Sequence, residues 1–316
     1  MEKLSKKTIF CIILIIALPI ASIISCAPYL YNRAIEGECK DANLTIKSVD
    51  IQGVKIVYAE GGTGDTIILI HGLVGAKNFW LKFAKYFTPN YRVIIPDLPG
   101  YGESSKSLDI NINIMPQVEK LNSFVKELKL TKFHLAGLSM GGAIAGNYAA
   151  DYPEMVKTLA LFASSGVNEP QKSEAIMLME KGTNPFVIKD VNDYDKLMEL
   201  LFYKPPKMPS FMKKYLVKQA MNTTRDFLIY EKEWKGKGLW NDWNILESKL
   251  YKITAPTLIV WGDFDRIVNI SCVPVFEKNI RNSKSVIIKE CGHIPSMEKP
   301  QEAATQYLAF IKGIKI

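Results

Sequence analysis

Apolar and polar residues alternate over Leu44-Thr45-Ile46-Lys47-Ser48-Val49, the period of an edge strand with one covered face. Val54 to Tyr58 follows after Gln52-Gly53, so the two runs predict a hairpin. The pattern then changes. Thr66 to Ile70, Tyr91 to Ile95, Phe133 to Ala136, Val156 to Ala163, Thr257 to Trp261 and Ser285 to Lys289 are short, mostly unbroken apolar runs. Such runs belong to strands covered on both faces. Between and after them, residues 78–88, 116–129, 140–151 and 300–312 predict helices. Strands alternating with helices imply an α/β fold: one mostly parallel sheet with helices on both faces.

The alternation stops between residues 167 and 249, where only helical patterns remain. Tyr194, Leu197, Met198 and Leu201 share one helical face, as do Phe211, Met212, Tyr215 and Leu216. Stripes of this kind pack against a core, and here they also suit a lid over an apolar pocket. The expected plan is a core in two parts, 41–166 and 250–316, interrupted by a helical cap, 167–249. A spacer, 27–40, links it to an N-terminal segment, 1–26.

That segment has its own signature. Lys3, Lys6 and Lys7 precede a stretch without charge from Thr8 to Asn32. Ile23-Ile24-Ser25-Cys26 reads as a lipobox, with Cys26 the lipidation candidate and the preceding peptide a signal that is removed. Alternatively, Ile9 to Leu30 is long enough to remain as one membrane helix. Either reading puts the lysines on the cytoplasmic side and the body on the extracytoplasmic face of a membrane.

Composition narrows the classes. The chain has 316 residues, 48% hydrophobic and 23% charged, enough to bury a core. Its net charge of +8 suits an anionic membrane surface and equally an unpartnered solvated one. No basic cluster is interleaved with aromatics, which argues against nucleic acid as a partner. Beyond Cys11 and Cys26, three cysteines remain: Cys39, Cys272 and Cys291. Buried thiols are the expected state, with a Cys272–Cys291 disulfide as the alternative. The three histidines are scattered and no HxxH or CxxC pairing occurs, so no metal is expected.

Gly137-Leu138-Ser139-Met140-Gly141 sits between a strand pattern and a small-residue helix pattern. A serine on so sharp a turn projects from the sheet as an exposed nucleophile. The surrounding glycines fit this turn rather than a phosphate loop, so no organic cofactor is expected. A serine hydroxyl needs a base, and the base needs a carboxylate to orient it. His134 lies within a strand, and His71 ends one at a turn suited to shaping backbone donors. His293, on the loop after the last strand, is left as the base. The acid should lie between Ser139 and His293. Asp265 is preferred because an apolar pair after it anchors its loop. Asp263 is the fallback and Glu169 a third option, while Asp97 reads as a loop brace. The backbone N–H groups of Met140 and Leu73 are the oxyanion donors.

Five segments together resemble the α/β-hydrolase superfamily: His71 to Leu73, Asp97 to Ser104, Gly137 to Gly142, Val260 to Val268 and Gly292 to Pro300. In the cap, Asn184 to Lys189 and Phe202 to Pro206 resemble small bacterial membrane-anchored lipases of the "lipase 3" type, which are similar to monoacylglycerol lipases. The resemblance implies an eight-stranded-type sheet, and the same Ser139, Asp265, His293, Leu73 and Met140. It also implies a serine carboxylic-ester hydrolase that cleaves lipid or acylglycerol esters through an acyl-enzyme. Leu73 stands where those lipases more often carry an aromatic. The alternatives are a carbon–carbon bond hydrolase with the same triad, or a ligand-binding protein that keeps only the fold.

Replacing Cys26 with serine is expected to abolish lipid labelling in growing cells and to leave the preceding peptide uncleaved. A variant of unchanged size that labels like the parent chain selects the membrane helix instead.

Overall fold

A computed structural model describes residues 26–234 and 242–313. Among these, eight strands make one sheet: β1 (Leu44–Ile51), β2 (Val54–Gly61), β3 (Asp65–Ile70), β4 (Tyr91–Pro96), β5 (Phe133–Leu138), β6 (Val156–Phe162), β7 (Thr257–Gly262) and β8 (Ser283–Ile288). Their order across the sheet is β1-β2-β4-β3-β5-β6-β7-β8. β2 runs antiparallel to both β1 and β4, and every other pair is parallel. The β1–β2 turn has positive φ at both central residues, Gln52 (55°) and Gly53 (81°). That backbone twist matches the twist of the strands it joins. Asp50 Oδ1 accepts the Gly53 N–H at 2.9 Å and pins the turn.

The helices are α1 (Ala27–Asp41), α2 (Ile114–Glu127), α3 (Met140–Asp151), α4 (Glu174–Glu180), α5 (Val191–Leu201), α6 (Ser210–Trp234), α7 (Val273–Asn279) and α8 (Pro300–Gly313), with shorter helical turns between them. α3 is buried along all but its last residue, which explains its glycines and alanines: a larger side chain has nowhere to go. α4, α5 and α6 lie between β6 and β7. The first stripe read from the sequence meets Leu216 of the second there. Tyr194, Leu197 and Val217 join Ile188 in a satellite core, with Met198, Leu201 and Leu216 against it.

Two elements differ from expectation. Residues 27–40, read as a spacer, form α1. Ala27, Tyr31, Ile35 and Cys39 recur every fourth residue and supply its inward face. Tyr31 meets Tyr215 of α6 with ring centroids 5.6 Å apart, and its hydroxyl accepts from Asn78 Nδ2 at 3.1 Å. The helix expected over 78–88 shrinks to a 3₁₀ turn, Lys77–Trp80, and one α-turn, Leu81–Ala84. Trp80, Leu81, Phe83, Ala84 and Phe87 are all fully buried, so the chain follows the core rather than laying one face on it.

Of the segment 1–26, expected to be a signal peptide or a membrane anchor, residues 1–25 lie outside the described residues, and Cys26 is exposed. Among the described residues, no helix is long and apolar enough to cross a membrane. Cys39, Cys272 and Cys291 are unpaired, buried thiols. Burial pushes the Cys272 thiol up to about 12, well away from the reactive thiolate.

His134 is buried in β5 with Nδ1 2.8 Å from Thr158 Oγ1. Burial, with help from the Lys157 charge, pulls its pKa from 6.5 to about 4. The unfolded chain therefore binds the extra proton first. Stability present above pH 6.5 is lost as pH falls towards 4. His134→Gln should flatten the pH dependence of the urea midpoint across that interval.

Candidate active site

The turn after β5 places Ser139 at φ 55° and ψ −120°, as the residue that caps α3. A non-glycine residue held there carries strain on the order of 1–3 kcal/mol. Hydrogen bonds on three sides hold it. Its N–H donates to the Phe162 carbonyl at 2.9 Å, and its carbonyl accepts from Gly142 at 2.8 Å and Ser165 at 3.1 Å. Gly137 and Gly141 are required by close approach. A side chain at Gly137 would overlap the Gly141 carbonyl, and one at Gly141 would overlap the carbonyls of Ile70 and His71.

The loops after β7 and β8 bring the next two groups together. His293 Nδ1 lies 2.8 Å from Asp265 Oδ2, both residues buried. A carboxylate only accepts, so Nδ1 donates and Nε2 is the nitrogen left to act as base. The other Asp265 oxygen accepts the N–H groups of Ile267 (2.9 Å) and Val268 (3.0 Å), which fixes the carboxylate plane. Ser139 and His293 open into one cavity of about 580 Å³. Leu73, Ile176, Met179, Phe186, Val268 and Ile294 give it an apolar wall.

The remaining carboxylates do other work. Asp263 Oδ1 accepts from the Cys291 N–H at 3.4 Å and its other oxygen lies 3.6 Å from Lys289, so it ties the two loops rather than His293. Glu169 lies in the cavity wall and accepts the Ser173 N–H at 2.7 Å. Burial pushes its carboxyl pKa up. Asp97 is fully buried and accepts from Lys77 N–H (2.6 Å), Lys77 Nζ (2.8 Å) and Glu103 N–H (2.9 Å), a loop brace. Burial opposes the charge on Lys77, but Asp97 and Glu103 outweigh it and raise the ammonium pKa.

His71 accepts the Leu98 N–H at Nε2 (3.0 Å) and donates from Nδ1 to the Gly72 carbonyl (2.8 Å). Burial lowers its pKa, and with both ring nitrogens engaged it clamps two loops. The clamped loop runs against the nucleophile: a Cβ built on Gly72 would lie 3.1 Å from Ser139 Cβ. Leu73, next along, lines the cavity. Met140 begins α3, where backbone N–H groups have no intrahelical acceptor and the helix dipole favours an anion. Among the described residues, no group of His, Cys, Asp and Glu side chains is arranged to hold a metal ion.

Sequence reasoning missed Glu298. Its carboxylate accepts the N–H groups of Gly292 (2.7 Å), Lys204 (2.8 Å) and Tyr203 (3.2 Å). The His293 N–H donates to the Leu201 carbonyl at 2.8 Å, so the histidine loop is fastened to the end of α5. The signal was a carboxylate five residues past the histidine, inside a segment whose backbone must close on something.

Residues 65–300 match the family model described as alpha/beta hydrolase fold. Lipase 1 of Psychrobacter immobilis is 35% identical, with 88% of each chain covered. Lipase 3 of Moraxella sp. (strain TA144) is 32% identical, with 90% of each covered. The crystal structure of a membrane phospholipase A, a bacterial virulence factor, superposes with a TM-score of 0.87 at 34% identity, over 98% of this chain and 99% of that one. The chain belongs to the α/β hydrolase fold family.

Proposed function

We propose that this α/β hydrolase cleaves carboxylic esters of lipids by acyl transfer to Ser139, with His293 as base and Asp265 as its orienting acid. The observation that carries this reading is the 2.8 Å bond between Asp265 and His293, made in the cavity that holds Ser139 on its strained turn. His293 Nε2 takes the Ser139 proton as Oγ attacks the acyl carbonyl. The N–H groups of Leu73 and Met140 receive the oxyanion, each contributing roughly 3–4 kcal/mol to the barrier lowering. The tetrahedral intermediate collapses, and the imidazolium protonates the departing alcohol. Water, deprotonated by His293, then releases the fatty acid from the acyl-serine. Asp265 accepts from the ring throughout and stabilises the imidazolium.

The apolar cavity wall suits an acyl chain, and the lipase and phospholipase relatives support lipid esters as the class. Acylglycerols at a membrane are the substrate we favour. The apolar run from Ile9 to Ile24 supports attachment there, through Cys26 or as a helix, with the body on the extracytoplasmic side. α1 then forms the link between anchor and core.

Ser139→Ala is expected to lower kcat on p-nitrophenyl butyrate by roughly 10⁶, leaving the fold intact by circular dichroism. Asp265→Asn should cost roughly 10⁴, through loss of the correct imidazole tautomer. Asp263→Asn should stay within about tenfold of the parent, because its partners are a loop N–H and a lysine. The opposite ranking of the two aspartates reassigns the acid. Glu298→Ala removes the acceptor of three N–H groups. It should lower the unfolding free energy by roughly 1–3 kcal/mol and depress kcat more than it alters KM. Unchanged kcat with lowered stability would confine Glu298 to the fold.

A further inference from the structure

Arg266 stands directly after Asp265 on the loop that follows β7, and its guanidinium binds two cap helices at once. Nε donates to Glu174 Oε2 at 2.7 Å and Nη2 to Glu174 Oε1 at 2.8 Å, a two-pronged grip on the first residue of α4. Nη1 donates to the Glu199 carbonyl at 3.0 Å. That carbonyl lies in the last turn of α5, where no intrahelical N–H is available to it. The backbone of Arg266 joins in, its carbonyl accepting the Ala175 N–H at 3.1 Å. One residue of the acid loop therefore holds the start of α4 and the end of α5.

α4 has only seven residues, too few to keep its shape by its own hydrogen bonds. Its other fastening is at the cap, where Ser173 Oγ accepts the Ile176 N–H at 3.3 Å. The helix separates the catalytic cavity from solvent: Met179 lines the cavity and is still 42% exposed, and Met177 beside it is 44% exposed. α4 and α5 present only apolar side chains to the cavity, Ala175, Ile176 and Met179 from one and Leu197 and Leu201 from the other. Polar lining residues such as Asn168, Glu169 and Lys172 come from the segment before α4. Among the described residues that form the wall, neither Arg266 nor Glu174 appears. Both side chains are partly exposed, so their charge alone adds little to stability. What the fork supplies is geometry, because a planar guanidinium on a carboxylate fixes direction as well as distance.

We propose that Arg266 is a positioning residue that sets acyl-chain selectivity: through Glu174 and Glu199 it holds the apolar α4–α5 stretch of wall in register with the acid loop. The assignment rests on the ester-hydrolase reading above. A long acyl chain reaches this stretch, whereas an acetyl group ends beside Ser139. Loosening the fork therefore weakens binding of long chains and leaves the chemistry of short ones.

The test compares kcat and KM on p-nitrophenyl decanoate with those on p-nitrophenyl acetate. Glu174→Ala should raise KM for the decanoate on the order of tenfold and change the acetate by less than about twofold. Arg266→Lys keeps the charge but not the fork, and should lower the decanoate-to-acetate ratio of kcat/KM by a similar factor. The double variant should add less than about twofold to the larger single effect, since both changes break one contact. A loss confined to stability would lower kcat equally on both esters and leave the ratio unmoved. An unmoved ratio in the single variants, or single effects that multiply in the double, overturns the assignment. Near-ultraviolet circular dichroism reports the fold. If Glu174→Ala fails that check, the isosteric Glu174→Gln decides by the same ratio, and if Arg266→Lys fails it, the Glu174 variant decides alone. A parent chain that cleaves neither ester refutes the hydrolase reading itself, whereas an active parent with unmoved variants refutes only the role of Arg266.

Discussion

The whole site depends on one strained turn. Ser139 is held at positive φ because its N–H and carbonyl are claimed by β6, by the loop after it and by the first turn of α3. That backbone sets Ser139 in the cavity wall, directly before the first turn of α3. Small residues at Gly137 and Gly141 follow from it, since the turn brings backbone against backbone. So does the buried, alanine-rich α3, which must approach β5 closely to place its N-terminus there. The proposed nucleophile, one proposed oxyanion donor and a favourable dipole thus come from a single constraint.

The base reaches this turn by a different route. His293 arrives from the far end of the chain, and its position is set by contacts on both sides. Asp265 holds the ring, and its own oxygens are saturated by Ile267 and Val268 as well as by the ring. Leu201 and Glu298 hold the backbone, and both contacts run to the segment that ends α5. The helices between β6 and β7 therefore do more than roof the cavity. They tie the backbone of the histidine loop to the residues that end α5.

Much of this was legible because it is local. The two-residue periods of β1 and β2, the apolar runs of the inner strands and the glycine spacing around Ser139 each report a short-range requirement. The anchoring of Asp265 was also readable, since the apolar pair Ile267-Val268 supplies the N–H groups that orient its carboxylate. What escaped is non-local. Glu298 looks like any surface carboxylate until residues 203 and 204 are folded against it. Lys77 looks solvated until Asp97 and Glu103 close around it. α1 was hidden by its exposed, charged outer face. Its four-residue spacing becomes meaningful only once Tyr215 and Asn78 are placed opposite it.

The distribution of charge separates chemistry from scaffold. His71, His134 and the buried cysteines are kept neutral by burial. Asp97 is buried against the Lys77 ammonium and the N–H groups of Lys77 and Glu103, because an unpaired buried carboxylate costs several kcal/mol. His71 and Asp97 shape the loops after β3 and β4, which face Ser139, and contribute no proton to it. Neutral or saturated groups around a catalytic cavity leave its field to the pair that must change charge. In the mechanism proposed above, that pair is His293 and the oxyanion opposite it. The imidazolium that forms faces a fixed carboxylate on one side and a newly charged intermediate on the other. Any second titrating group pointing into the same apolar space would compete for the proton. Among the described residues, the wall also carries Glu169, whose pKa burial raises while backbone hydrogen bonds hold it in place, and Lys172, which pairs with Glu180 at 2.7 Å.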